Sequence, residues 1–325
     1  MKFYSGDILS KKNIIRFLNN LIFHFNLYNL FGTKENVVLL YHRVNNDALI
    51  QKYFLKGIFV NQENFKQQIE FLNSSKRKEK VFITFDDGYK DNFLYAYPIL
   101  KDLELNVIFF VTADFIDSNM FQWIDILNQY AHKKKISIKA FRNISKKIKS
   151  MSINDRIKFL DTLSVDKKEL ENDKAMYWED LKELSKEFIV ANHTKTHPNF
   201  SNESFDKIKE ELEYTKNRIK EKLNIDDTYF AYPDGDIGKD KEVVENILKD
   251  LDYKYAFTTK RGIWKDSDNS YFINRIPIYY WDNLATFVNK TYGINIEDNF
   301  SFKAIIIKLL DLIGAKEWVK RKLKY

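Results

Sequence analysis

Short apolar runs rich in β-branched and aromatic residues recur along the chain, at 37–41, 81–85, 107–111, 188–191, 228–232, 255–258 and 272–278. Between them lie longer stretches in which apolar residues return every three or four positions, at 61–73, 92–103, 178–186, 203–223, 241–251 and 282–290. The first pattern predicts strands and the second amphipathic helices. The strands are apolar nearly throughout, which predicts a parallel sheet of βα units buried on both faces. Seven such strands suit an α/β fold, a deformed and incomplete (β/α)7 barrel. One connection, 116–174, is too long for a simple loop and carries its own helical pattern, so it is expected to be a helical cap insertion. The chain then divides into an amphipathic helical extension at 1–36, the barrel with its insertion at 37–285, and a second helical extension at 286–325.

Composition narrows the chemistry. With 325 residues, 44% of them hydrophobic and 16% aromatic, the chain can bury a sizeable core. It has no Cys, which excludes disulfides, thiolate metal sites and Cys nucleophiles, so His and carboxylates must hold any metal. The net charge of +7 comes mainly from Lys, and reads as a solvated surface with a mild attraction to anionic partners. Basic residues crowd the middle of the insertion (Lys133, Lys134, Lys135, Lys139, Arg142, Lys146, Lys147, Lys149). Stacking aromatics are not interleaved with them, so no nucleic-acid partner is expected.

Lys11, Lys12 and Arg16 precede an apolar stretch, but polar residues interrupt it and no small-residue cleavage site follows. No apolar run approaches the ~18 residues that span a bilayer. These features point to the cytoplasmic side. The apolar segments 14–31 and 302–323, the latter ending in a basic cluster, either pack on the barrel or lie peripherally on the inner membrane face, which would suit a lipid-linked glycan substrate.

Two segments carry candidate chemistry. The strand at 81–85 runs straight into Asp86, Asp87 and Gly88. Ligands bind at the carboxyl ends of parallel strands, and adjacent residues on an extended segment point different ways, so one Asp can face a metal and the other a substrate. The competing reading is a helix N-cap. The strand at 188–191 ends on His193 and His197, four positions apart. A helical turn would set both imidazoles on one side of the backbone. Pro198 turns His197 away from α geometry, so a turn is expected, and Thr194 stands where zincin proteases carry their Glu base.

At these residues the chain resembles the NodB-homology polysaccharide deacetylases, carbohydrate esterase family 4. Thr84 to Gly88 match the first motif of that family, Thr-Phe-Asp-Asp-Gly. His193 to His197 match the second, with Pro198 and Asn199 following in the same manner, and Phe230 to Gly235 resemble the aromatic turn ending Pro-Tyr-Gly. The likeness runs from about Val37 to Asp282. It implies an N-acetylated sugar or glycan substrate and a divalent ion, Zn2+ or another such as Co2+, Ni2+ or Mn2+, held by Asp87, His193 and His197. It also implies Asp86 as general base and an oxyanion and substrate turn at Tyr232, Pro233 and Asp234, with the backbone N–H of Asp234 as donor.

The departures are specific. Asp234 replaces the usual Tyr, and no His follows His197 to serve as the family's general acid. His42, ending the first strand in a Tyr-His-Arg sequence, is the candidate acid, or else a structural His. Ala231 stands where many members carry an Arg that orients the base, and Arg275 is the candidate replacement, or else an ordinary ion pair. Trp123, Asp125 and Trp178 resemble positions around the cap of related enzymes, and Tyr280 and Trp281 would close the other side; Trp123 and Trp281 are the candidate sugar contacts. The resulting expectation is N-deacetylation in bacterial surface polysaccharide synthesis or modification, against an O-acetyl esterase or an inactive glycan-binding barrel.

Overall fold

The computed structural model describes residues 11–118 and 121–294. Contacts divide the chain into two units, one of residues 35–281 and one drawn from both ends of the chain. In the terminal unit, the helices Lys11–His24 and Leu284–Thr291 pack together. Leu18, Ile22 and Ile294 are buried between them, and Asn289 Nδ2 donates to Asn19 Oδ1 at 2.8 Å. The apolar and basic segment at 302–323 lies outside the described residues. Among the described residues no helix is long and apolar enough to cross a membrane.

The described residues of 35–281 contain nine strands: β1 (Val37–Tyr41), β2 (Arg43–Asn45), β3 (Phe59–Asn61), β4 (Val81–Phe85), β5 (Asn106–Val111), β6 (Ile189–Asn192), β7 (Tyr229–Ala231), β8 (Tyr255–Phe257) and β9 (Ile276–Pro277). Seven form one sheet in the order β8-β7-β6-β5-β4-β1-β9, all paired in parallel. β1 is buried along its whole length, as the unbroken apolar run requires when helices cover one face and the barrel interior the other. This is the incomplete (β/α)7 barrel that the alternation predicts.

The run 272–278 behaves differently from a simple strand. Ile273 bonds to β8, receiving Thr258 N–H and donating to Ala256 O. Three residues later β9 pairs with β1, and Ile278 N–H reaches Leu40 O. One segment therefore joins both edges of the sheet. Pro277 has no N–H to offer a longer ladder, which limits β9 to two residues. The short parallel pair of β2 and β3 was not legible in the hydrophobic pattern, since Arg43 and two Asn residues occupy half of its positions.

Helices follow the apolar period. Phe205–Leu223 buries Ile208, Leu212, Thr215 and Ile219 on one face, with Ser204 as N-cap and Asn224 closing it in the left-handed region at φ 59°. The expected helix at 92–103 is instead a π turn, Asn92–Ala96, followed by one α turn, Tyr97–Leu100. Pro98 cannot donate back along an α ladder, and the wider turn accommodates it.

The insertion between β5 and β6 has its own core. Helices Trp123–Lys133, Ile138–Lys149 and Ile153–Asp161 surround buried Trp123, Leu127, Ala131, Phe141 and Ile148. A buried polar knot attaches it to the barrel. Arg43, at the start of β2, reaches Asp91 at 2.7 Å, Asp173 at 2.8 Å, Asp125 at 3.5 Å and the Asn172 carbonyl at 2.8 Å.

Candidate active site

The carboxyl ends of β1, β4 and β6 and the turn after β7 meet at one cavity of about 640 Å³. Its wall includes His42, Asp86, Asp87, Trp123, His193, His197, Asp234 and Trp281. These side chains come from sequence positions up to 239 residues apart (42 to 281), and parallel strand order brings their loops together.

Asp86 leaves β4 with its N–H on Tyr41 O at 3.1 Å. Its carboxylate is clamped by Arg275, Nη1 to Oδ1 and Nη2 to Oδ2, both at 2.7 Å. Arg275 is fully buried and is itself fixed by Thr258 O at 2.8 Å and Thr84 Oγ1 at 3.1 Å. Burial alone would raise the Asp86 pKa, but the guanidinium and the neighbouring His193 outweigh it and hold the group at about 2. Thr84 of the first motif thus serves the arginine, a role that its sequence position does not announce.

Asp87 turns the opposite way, at φ 77°. Its Oδ1 lies 3.6 Å from His193 Nε2 and 3.4 Å from His197 Nε2, and one ligand atom from each of the three residues lies within 4.8 Å of the others. Two donors about 2.0–2.1 Å from a tetrahedral ion stand about 3.4 Å apart, so the spacing fits a small divalent ion. Burial, with Asp86 and Asp234 close by, pushes the Asp87 carboxyl well above the usual carboxylate range, which a cation at this point would relieve.

The two imidazoles are fixed differently. His193 Nδ1 donates to the Ala231 carbonyl at 2.7 Å; a carbonyl only accepts, so Nε2 is left with its lone pair toward Asp87. His197 Nδ1 is buried with no partner among the described residues. Its position rests on its backbone, which adopts φ 57°. Its N–H reaches Thr194 Oγ1 at 3.0 Å and its carbonyl accepts from Arg156 Nη1 at 2.6 Å. Arg156, from the insertion and nearly fully buried, also bonds Asn199 Oδ1 at 2.7 Å. Glu211, fully buried, receives Thr196 N–H at 2.7 Å and Thr196 Oγ1 at 2.8 Å, so the loop is held from both sides. Arg156→Met should weaken divalent-ion binding about 10–100-fold in a chelator competition, with Arg156→Lys recovering part of it. Unchanged affinity in a folded Arg156→Met protein would remove Arg156 from the site.

In the turn Pro233–Gly235, Asp234 has φ 54°. The turn's own bonds use the N–H groups of Gly235 and Asp236. Gly235, at φ 73°, is required, since a Cβ there would stand 2.7 Å from Thr259 N and closer still to its hydroxyl. The Asp234 carboxylate pairs with Lys149 of the insertion. The Tyr232 side chain faces the core, its hydroxyl on Tyr271 O at 3.0 Å, so this turn meets the cavity through Asp234.

His42 lines the cavity. Desolvation there lowers its pKa to about 4, against the opposing pull of Asp86, so the ring is neutral near pH 7. Trp281 is 61% exposed and stacks on Tyr279, centroids 4.9 Å apart, while Trp123 is buried beneath Lys149. The structure does not bring Asp125 or Trp178 to the cavity wall. Asp125 belongs to the Arg43 knot and receives Tyr89 Oη at 2.8 Å; Trp178 Nε1 donates to Asp117 at 2.7 Å. Arg156, Lys149 and Glu211 were missed as site residues. Only the basic run in the insertion hinted at Lys149.

No curated protein sequence matches the chain. Among solved structures, the fold is similar to the Streptococcus pyogenes deacetylase PplD in complex with acetate, at 19% identity and a TM-score of 0.54, covering 80% of this chain and 99% of that one. It is likewise similar to IcaB from Ammonifex degensii, at 19% identity and a TM-score of 0.54, covering 80% and 98%. A polysaccharide deacetylase from Bacillus cereus gives 20% identity and a TM-score of 0.53, covering 79% and 69%. The sequence profile of polysaccharide deacetylases matches residues 73–256, more than half of the chain and the stretch that carries all three motifs. The chain belongs to the polysaccharide deacetylase family.

Proposed function

We propose that this protein is a hydrolase that removes N-acetyl groups from an amino sugar of a glycan, using a divalent ion, Zn2+ or another such as Co2+, held by Asp87, His193 and His197. The observation that carries the reading is the division of labour between adjacent carboxylates. Asp87 joins the two Nε2 atoms, while Asp86 is kept ionised by Arg275.

A divalent ion there supplies Lewis acidity and makes water a nucleophile near neutral pH. Asp86, fixed beside the donor set, takes the proton as water attacks the acetyl carbonyl. In this reading the backbone N–H of Asp234 donates to the oxygen that gains charge, as the family resemblance implies, and loss of one such donor typically costs about 10²–10³ in rate. Cleavage of the C–N bond gives acetate and an amine that must gain a proton. His42 is the assigned donor; being neutral at rest, it must first receive the proton that Asp86 has taken from water, directly or through solvent, and then deliver it to the amine. Trp281 offers an exposed aromatic face for a sugar ring. A bacterial surface polysaccharide is taken as the source of the acetyl group, in keeping with the polysaccharide deacetylase family to which the chain belongs.

A second reading, O-acetyl ester hydrolysis, is favoured by the same His42. Its low pKa makes it a poor resting acid, and an alkoxide leaving group depends less on one. Acetate release from N-acetylglucosamine oligomers and O-acetylated sugars decides between them. Metal-stripped protein should be inactive and regain activity with Zn2+ or Co2+. Activity undiminished after stripping, with no metal left on the protein, would overturn the metal assignment.

A further inference from the structure

The basic insertion contributes more than a lid. Helix Ile138–Lys149 turns Arg142, Ser145 and Lys149 toward the cavity, positions that share one helical face. Lys56 and Arg261 line the same cavity. Three carboxylates face them, and each is already engaged: Asp86 with Arg275, Asp234 with Lys149, and Asp87 with the two imidazoles. Arg142 has no acidic partner among the described residues, and Lys56 Nζ donates to the neutral Gln51 side chain. A divalent ion on Asp87 would increase the positive surplus. The other basic residues of this helix, Lys139, Lys146 and Lys147, do not line the cavity, so the charge in the wall is separate from the general basicity of the surface. Walls of low dielectric around a cleft of one sign focus its field on the ligand.

Resting on the deacetylase reading above, we propose that the cavity takes an anionic substrate, an N-acetylated sugar with a carboxylate or phosphate on the same or the adjacent residue, recognised by Arg142 and Lys56. Arg142 presents a planar fork suited to either oxyanion. The Ser145 hydroxyl, one turn along the same face, already donates to Phe141 O at 2.9 Å, so the anion is left to the two cationic side chains. The metal donor set lies in the same cavity, so acetamide and anion can be engaged together. The reaction supplying this substrate must therefore be one that installs an acidic sugar or a phosphate next to the acetamido sugar before deacetylation.

The test uses the full-length, zinc-loaded protein and three pairs of measurements. Acetate release and calorimetric binding are followed for a neutral N-acetylglucosamine oligomer and for one of equal length alternating N-acetylglucosamine with glucuronate. N-acetylglucosamine 1-phosphate against free N-acetylglucosamine separates phosphate from carboxylate as the anion. The third pair compares the native chain with Arg142→Gln, an exposed position at which the fold is not at stake. The expected result is about tenfold or greater preference for an acidic member, carried by KM, weakened by salt and largely lost in Arg142→Gln. Equal use of neutral and acidic oligomers, or preference unaltered in Arg142→Gln, overturns the proposal. Tighter binding of the acidic oligomer with no acetate released would uphold it and bring down the deacetylase reading; hydrolysis without charge preference would do the reverse. No binding of either oligomer overturns it outright.

Discussion

Asp86→Asn should lower kcat/KM by about 10²–10⁴, the range lost with a general base, while the protein still binds one divalent ion. The amide keeps the size of the carboxylate and one acceptor for Arg275, but it cannot take a proton from water. The ligand atoms of Asp87, His193 and His197 are separate from it, so metal content divides this effect from loss of the site. Metal analysis and acetate release on the same preparation make the check. A variant that keeps both its metal and its full rate would remove Asp86 from the chemistry.

The second large effect concerns stability. Arg275 and Asp86 are both buried and joined by two 2.7 Å bonds. Arg275→Met leaves a carboxylate without its counter-charge in the barrel interior, a change that typically costs about 3–5 kcal/mol. For a unit of this size each kcal/mol moves Tm by roughly 2–4 °C, so thermal unfolding should fall by roughly 6–20 °C. Adding Asp86→Leu to Arg275→Met should restore most of that loss, since a buried pair replaced by apolar residues is often neutral, yet activity should stay absent. The pH dependence has a defined sign. The Asp86 pKa is depressed to about 2, so its contribution is present above the ordinary carboxylate range and is lost as pH falls toward 2. A loss below about 1 kcal/mol in Arg275→Met would mean that water or a neighbouring group solvates Asp86 in its place.

Much of this was written locally. The seven strand segments and their βα alternation follow from apolar runs that only a doubly covered parallel sheet can bury. The dyad Asp86–Asp87 and the pair His193 and His197 sit within a few residues of strand ends, where parallel topology assembles ligand sites, so their meeting could be expected before any coordinates. The short strands β2 and β3 escaped detection because polar residues interrupt their pattern, and the break at Pro98 escaped because the apolar period continues through it.

What only the tertiary structure decided is which side chains support the site. Arg275 and Asp86 are 189 residues apart, and nothing in the spacing of either distinguishes an orienting clamp from a surface ion pair. Arg156 reaches His197 from an insertion whose helical pattern predicts helices but not how they rest on the barrel. Lys149, the last residue of its helix, meets Asp234 in the turn after β7, and Tyr232 turns to the core although it lies one position from the cavity-lining turn. Hydrophobic periodicity fixes which face of a helix or strand is buried and therefore which strand ends cluster. The direction of a loop and the partner of a long charged side chain depend on packing between elements distant in sequence, and that information exists only once the chain has folded.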